Sequence, residues 1–249
     1  MSGVRRTGGT RREAAAAPRA RRRTAGERLF ARGLERLGWP GPSIERLLAD
    51  AAPATFAAGR TIYREGSPAR RFFWIVDGVA SVSLRGSLGH RVPLSLARPG
   101  ALLGRSLVAS GRRLDRAVAF TPVRALAIEP GHFDAILREL PTDASRRTEH
   151  GALADHSRTL VRTVRLLTHD EIGRLALALV DAAEGLASAP REARSVRLRI
   201  GATELADIAG VPAAGVPRGL DELVARGLVR RRGRDLFLRL RELLELCGD

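Results

Sequence analysis

The densest concentration of chemistry in the 249-residue chain is a run of guanidinium groups near its C-terminal end, Arg230-Arg231-Arg232-Gly233-Arg234-Asp235. A guanidinium presents a planar fork of donors that matches phosphate oxygens, so arginines at this spacing suit a polyanion. Val229 precedes the run and Leu236-Phe237-Leu238 follows it, which predicts a β-hairpin with the arginines at its tip. Upstream come a helix predicted over Thr203–Ala209, a turn at Gly210 and a second helix. Two helices that turn so sharply leave little room for a Cβ, which accounts for the glycine. Leu205, Ile208, Val216, Leu220 and Leu223 are placed to close a small core around that turn. Helix, glycine turn, helix and basic hairpin is the layout of a winged helix-turn-helix.

The sequence offers no catalytic constellation to set beside this. No Ser/His/Asp set, paired carboxylates or metal-ligand spacing stands out, and the glycine-rich stretches do not match a phosphate-binding P-loop. His90, His132, His150, His156 and His169 read as surface or capping residues rather than ligands. The single cysteine, Cys247, allows no disulfide within the chain and no iron–sulfur cluster, which fits a reducing cytoplasm.

The net charge is +16, every basic residue is arginine, and 44% of residues are apolar but only 4% aromatic. Such a charge favours nucleic acid as partner. The cores must be built from Leu, Val, Ile and Ala. Apolar runs such as Phe72–Val76 are far too short to span a bilayer. Residues 1–26 form an Ala-rich arm, with eight arginines and one acid in the first 25 residues. It has no apolar stretch of the signal-peptide kind and reads as a disordered basic arm.

Hydrophobic texture divides the rest. Leu29, Leu34, Leu37, Ile44, Leu47 and Leu48 recur with helical spacing, interrupted at Pro40-Gly41-Pro42. From Ala54 to Ile128 short strands alternate with turn signals, Asp77-Gly78 reading as a hairpin turn, which suggests a small barrel or jelly roll. Beyond Pro141 the helical period returns. Leu153, Leu160 and Leu167 recur every seven residues with Val164 on the same side, a seam for a second helix. Thr168-His169-Asp170-Glu171 reads as a capping box that opens another helix. Ser188-Ala189-Pro190 marks a linker.

Three segments resemble one family. Residues 58–69, beginning Ala58-Gly59-Arg60-Thr61-Ile62-Tyr63, are similar to the first strands of a cyclic-nucleotide-binding barrel, and Phe73–Ala80 to its next hairpin. Thr203–Val211 and Arg218–Val229 resemble the helix-turn-helix and the start of the wing of the cyclic-AMP receptor protein/Fnr (Crp/Fnr) superfamily. The resemblance spans about Glu27 to Leu246. It implies an α+β chain with a sensor barrel over 27–140, a long dimerisation helix and its successor over 141–187, and a winged helix-turn-helix over 190–249. It implies a dimeric, non-enzymatic, cytoplasmic transcription regulator with double-stranded DNA, a second copy of itself and RNA polymerase as partners, and no membrane. On the DNA side it assigns Thr203, Arg218, Arg230, Arg231, Arg232 and Arg234. Leu153, Leu160, Val164 and Leu167 become the dimer seam.

The sequence departs from the family in two places. The stretch that should cradle a cyclic phosphate runs Gly100-Ala101-Leu102-Leu103-Gly104-Arg105 and resumes at Leu114-Asp115. Arg105 stands where nucleotide-binding members carry a ribose-holding Glu, and Leu114-Asp115 where they carry Arg and a hydroxyl. A shift of one or two residues brings Arg113 or Arg116 into the role. The effector pocket is thus expected around Gly100, Gly104, Arg105, Arg113 and Arg116, without cyclic AMP and with no effector or cofactor identified. The second departure is Val211-Pro212-Ala213-Ala214-Gly215-Val216-Pro217, where polar base-reading side chains are expected. Pro217 should push Val216 from helical angles and delay the recognition helix to Pro217, leaving Arg218 in its first turn. The rival reading is an effector-binding or protein-interaction module whose DNA-binding part has decayed.

Overall fold

The computed structural model describes residues 23–86, 91–104, 111–187 and 194–248. The arm expected over 1–26 ends earlier, because Thr24 caps a helix that begins at Ala25; residues 1–22, Arg105, His90 and the 188–190 linker fall outside the described residues.

Helix α1 (Ala25–Arg36) opens on a complete capping box. Thr24 Oγ1 accepts from the Glu27 amide, and the Glu27 carboxylate accepts from the Thr24 amide. Pro40 caps α2 (Gly41–Asp50) and Pro42 falls in its first turn, where a missing N–H costs nothing. The two four-stranded antiparallel sheets of the barrel follow. One orders β1 (Ala52–Phe56), β8 (Val123–Ile128), β3 (Phe72–Asp77) and β6 (Leu102–Leu103); the other β2 (Thr61–Tyr63), β7 (Arg116–Ala119), β4 (Ala80–Arg85) and β5 (Arg91–Ala97). Inward positions alternate along the strands. Ala117 and Ala119 of β7 are fully buried and face an interior that holds Ile62, Tyr63, Ile75, Val82 and Leu103. A second core, built on Phe30, Ile44, Leu47, Phe72, Ile128 and Ile136, packs α1, α2 and α3 (Pro130–Glu139) onto β3 and β8.

Asp77-Gly78 does not close a hairpin. β3 belongs to the first sheet and β4 to the second, so these residues turn the chain from one sheet to the other. Gly78 has φ +81°, and a Cβ there would lie 2.0 Å from the Pro122 carbonyl oxygen. A hairpin and a sheet-to-sheet corner make the same local demand, so the glycine alone does not tell them apart.

Helix α4 runs from Thr142 to Thr168. Helix α5 (Glu171–Leu186) follows, and its N-cap is Asp170, whose carboxylate accepts from the Gly173 amide at 2.8 Å. The capping residue is therefore not Thr168, which still belongs to α4; a carboxylate three residues ahead of a free amide caps as well as a hydroxyl.

The C-terminal part holds β9 (Val196–Leu198), α6 (Ala202–Ala209), a 3-10 turn (Ala213–Gly215), α7 (Val216–Ala225), β10 (Val229–Arg232), β11 (Asp235–Leu238) and α8 (Leu240–Leu246). Its strands form one antiparallel sheet in the order β10-β11-β9. Gly210 ends α6 in the left-handed conformation, φ +64°. Leu205, Ile208, Val216, Leu220 and Leu223 are all buried, in one core with Leu175 and Leu179 of α5. α7 begins at Val216, one residue before Pro217. Contrary to expectation, Val216 keeps helical angles, φ −58° and ψ −45°. It is fully buried, and its packing outweighs the preference of a pre-proline residue for extended backbone.

Candidate nucleic-acid interface and barrel cavity

Pro217 lies in the first turn of α7 and Arg218 beside it, with 84% of its side chain exposed. The Glu171 carboxylate of α5 sits 3.5 Å from the Arg218 guanidinium. The same carboxylate lies against Gly215, where a Cβ would meet its oxygen at 1.7 Å. Gly219 in turn lets α7 approach Leu175, whose Cδ1 would be 2.2 Å from an added Cβ. Glycines that look helix-weakening in the sequence are what seats α7 on α5.

The hairpin folds back onto the same helix. Arg231 donates to Asp221 Oδ1 at 2.6 Å and to the Pro217 carbonyl at 3.3 Å. One predicted phosphate ligand thus braces the wing against α7. Arg230 stacks on Phe237, its guanidinium carbon 5.2 Å from the ring centroid. Arg230, Arg232 and Arg234 are exposed, and Thr203 is exposed in the first turn of α6. The predicted DNA contacts on α7 and the hairpin are thereby brought together, with Arg231 in a bracing position.

Of the predicted effector residues, Gly100 and Gly104 are turn glycines with φ +95° and +76°. Arg105 lies outside the described residues. Arg113 and Asp115 point into the barrel in phase with Ala117, while Leu114 is exposed and Arg116 turns outward to Thr61 Oγ1 at 3.2 Å. Arg113 is buried but spent on the protein itself. One guanidinium nitrogen donates to the Gly104 carbonyl at 2.9 Å, another to the Arg71 carbonyl, and the group stacks over Tyr63 at 4.2 Å. Burial lowers its pKa from the ordinary arginine value, against the pull of Tyr63 and Asp115. Burial also raises both the Asp115 carboxyl and the Tyr63 phenol, which lie side by side. The barrel interior thus sets the Asp115 acid near an arginine two of whose nitrogens already donate to backbone carbonyls, while its buried Nε has no hydrogen-bond partner among the described residues.

A larger cleft, about 880 Å³, lies between Ser95–Leu103 and helices α4 and α5. Arg162 of α4 stands in its wall. It donates to Asp181 of α5, to the Pro93 carbonyl of β5 at 3.2 Å and to the Ile208 carbonyl at the end of α6 at 3.3 Å. Burial raises the Asp181 pKa against the opposing pull of Arg162. Nothing in the sequence separates Arg162 from the other arginines of α4. On the opposite side of that helix Leu153, Leu160 and Leu167 are 63, 59 and 70% exposed, and Val164 is exposed with them. Among the described residues no helix is long and apolar enough to cross a membrane.

Comparison with known proteins agrees with this architecture. Residues 53–139 match the cyclic nucleotide-binding domain family. Over 197 residues the chain is 24% identical to a CRP-like cAMP-activated global transcriptional regulator of Mycobacterium tuberculosis, covering 79% of this chain and 88% of that protein. It resembles the structure of a CRP/FNR-family transcriptional regulator from Thermus thermophilus at 25% identity and TM-score 0.59, covering 80% of this chain and 99% of the other. It shares its fold with the c-di-GMP responsive global regulator of Xanthomonas campestris, at 21% identity and TM-score 0.62, with the same coverage of 80 and 99%. A cyclic-nucleotide-binding-type barrel, a long helix and a C-terminal helix-turn-helix with a basic hairpin, in that order, are the architecture of the Crp/Fnr superfamily of transcription regulators, which this chain resembles along most of its length.

Proposed function

We propose that the protein is a dimeric DNA-binding regulator whose barrel responds to something other than cyclic AMP. The observation that carries the DNA reading is the brace of Arg231 to Pro217 and Asp221. It holds the arginines of the hairpin beside the first turn of α7, so one face presents Arg218 to a base edge and Arg230, Arg232 and Arg234 to phosphates. Thr203 at the start of α6 adds a backbone contact, and the arm before residue 23 adds salt-dependent affinity without sequence preference. The exposed Leu153, Leu160, Val164 and Leu167 stripe supports pairing of α4 with its copy in a second molecule, which doubles the reading surface. The role is regulatory rather than enzymatic, in the cytoplasm, with RNA polymerase as the downstream partner. The cleft against α4 and α5 is the place where an effector reaches both the dimer helix and the helix-turn-helix.

The direct test is selection from a random duplex DNA pool by the full chain at about 150 mM salt, where unspecific phosphate contacts are weakened. The reading predicts enrichment of a two-fold symmetric site. Recovery of the pool unchanged overturns it and favours a module whose DNA-binding part has decayed, the reading to which the small residues 212–215 would lend themselves.

A further inference from the structure

The segment that leads into α7 carries almost no hydrogen-bonding side chains, yet it stands at the reading end of the helix. Pro212, Ala213, Ala214 and Pro217 are exposed, and Arg218 is the first polar side chain after them. The next exposed polar groups are already engaged: Asp221 holds Arg231 at 2.6 Å and Glu222 holds Arg226 at 2.9 Å. Arg231 of the basic hairpin reaches the Pro217 carbonyl at the edge of this small apolar patch, and Arg218 follows it, so its surroundings suit a phosphate backbone rather than an apolar protein surface.

In the major groove three of the four bases offer only donors and acceptors. Thymine alone adds a methyl group, and small apolar side chains are its match. We infer that Ala213 and Ala214, with Pro212 and Pro217 beside them, read thymine methyl groups next to one guanine held by Arg218. Specificity in each half-site then rests on shape and methyl burial rather than on a row of hydrogen bonds. Glu171, 3.5 Å from the Arg218 guanidinium and lying against Gly215, holds that group beside the patch. The inference rests on the DNA-binding reading above and names the sequence class it would recognise.

The experiment uses the full chain and the sites recovered from the random pool. Each thymine of a recovered half-site is replaced by deoxyuridine, which removes only the methyl, and affinity is measured by fluorescence anisotropy. We expect guanine flanked by thymines, and about fourfold weaker binding per contacted methyl removed. The double variant Ala213→Gly/Ala214→Gly should bind thymine and deoxyuridine sites alike, which separates methyl contact from a change in DNA shape. Recovered sites whose affinity is indifferent to deoxyuridine overturn this inference and leave the DNA reading intact. A pool that yields no site at all overturns both.

Discussion

The guanidinium of Arg162, in the long helix α4, donates to the carbonyl of Ile208, one residue from the end of α6, at 3.3 Å. Ile208 lies in the last turn, where carbonyls lack helical partners and the helix dipole favours a cation. The same group holds Asp181 and the Pro93 carbonyl, so one partly buried arginine joins the long helix, the edge strand of the barrel and the helix-turn-helix. Pro93 is suited to this position, because β5 is an edge strand and the missing N–H leaves no ladder bond unmade. Gly210 packs on Pro93 from the other side, where a Cβ would come within 2.9 Å of its ring.

Removing the cation should therefore be expensive. Arg162→Met leaves the partly buried Asp181 carboxylate without its hydrogen-bonded partner, and we expect a loss of about 1–3 kcal/mol at neutral pH in chemical denaturation. The pH dependence has a definite sign. Burial already raises the Asp181 pKa, and loss of Arg162 raises it further. A carboxyl whose folded pKa lies above its unfolded value takes up a proton on folding, so stability rises as pH falls between the two values. The deficit of the variant should shrink on acidification from neutral pH and level off once the pH falls below the wild type's own raised Asp181 pKa. A deficit that does not change with pH would assign the effect to packing alone.

The α4 stripe predicts self-association. Leu160→Asp places a charge in the middle of the proposed seam and should convert a dimer into a monomer in sedimentation experiments, with the melting temperature of the barrel little changed. A wild-type protein that is monomeric at micromolar concentration would contradict the seam.

Cyclic AMP and cyclic GMP should show no heat of binding in the micromolar range. The reason is specific: Arg113 would have to leave the Gly104 and Arg71 carbonyls, and Asp115 would face the incoming phosphate. A micromolar dissociation constant for either nucleotide would show that Arg113 is released at little cost.

Gly78 is the corner on which the two sheets of the barrel meet. Alanine there combines a positive φ with a collision against backbone, at 2.0 Å from the Pro122 oxygen, and should cost roughly 2–3 kcal/mol in thermal unfolding. A change within about 0.5 kcal/mol would mean that the corner relaxes freely.

Much of this architecture was legible in the residues, and the exceptions have physical causes. Leu205, Ile208, Val216, Leu220 and Leu223 form a core because helical spacing and a turn glycine leave them one arrangement. The corner at Gly78 was misread as a hairpin because only the pairing of β3 with β8 and of β4 with β7 reveals the change of sheet, and pairing is a long-range property. The helical Val216 was missed because a local rule for pre-proline residues gave way to tertiary burial. At the sites, the exposed arginines of the hairpin were readable as chemistry. The bracing of Arg231, the internal bonding of Arg113 and the junction at Arg162 were not, since all 43 basic residues are arginines and only three-dimensional neighbours distinguish them.

Sequence-specific binding of DNA through the face that carries Arg218 is read out by the affinity ratio between a selected site and a scrambled duplex, for the wild type and for Arg218→Ala, at about 150 mM salt. We expect a ratio on the order of a hundredfold or more for the wild type, falling by roughly tenfold or more in the variant, while affinity for the scrambled duplex stays nearly constant. A ratio near one for the wild type, or a high ratio that survives Arg218→Ala, would contradict it.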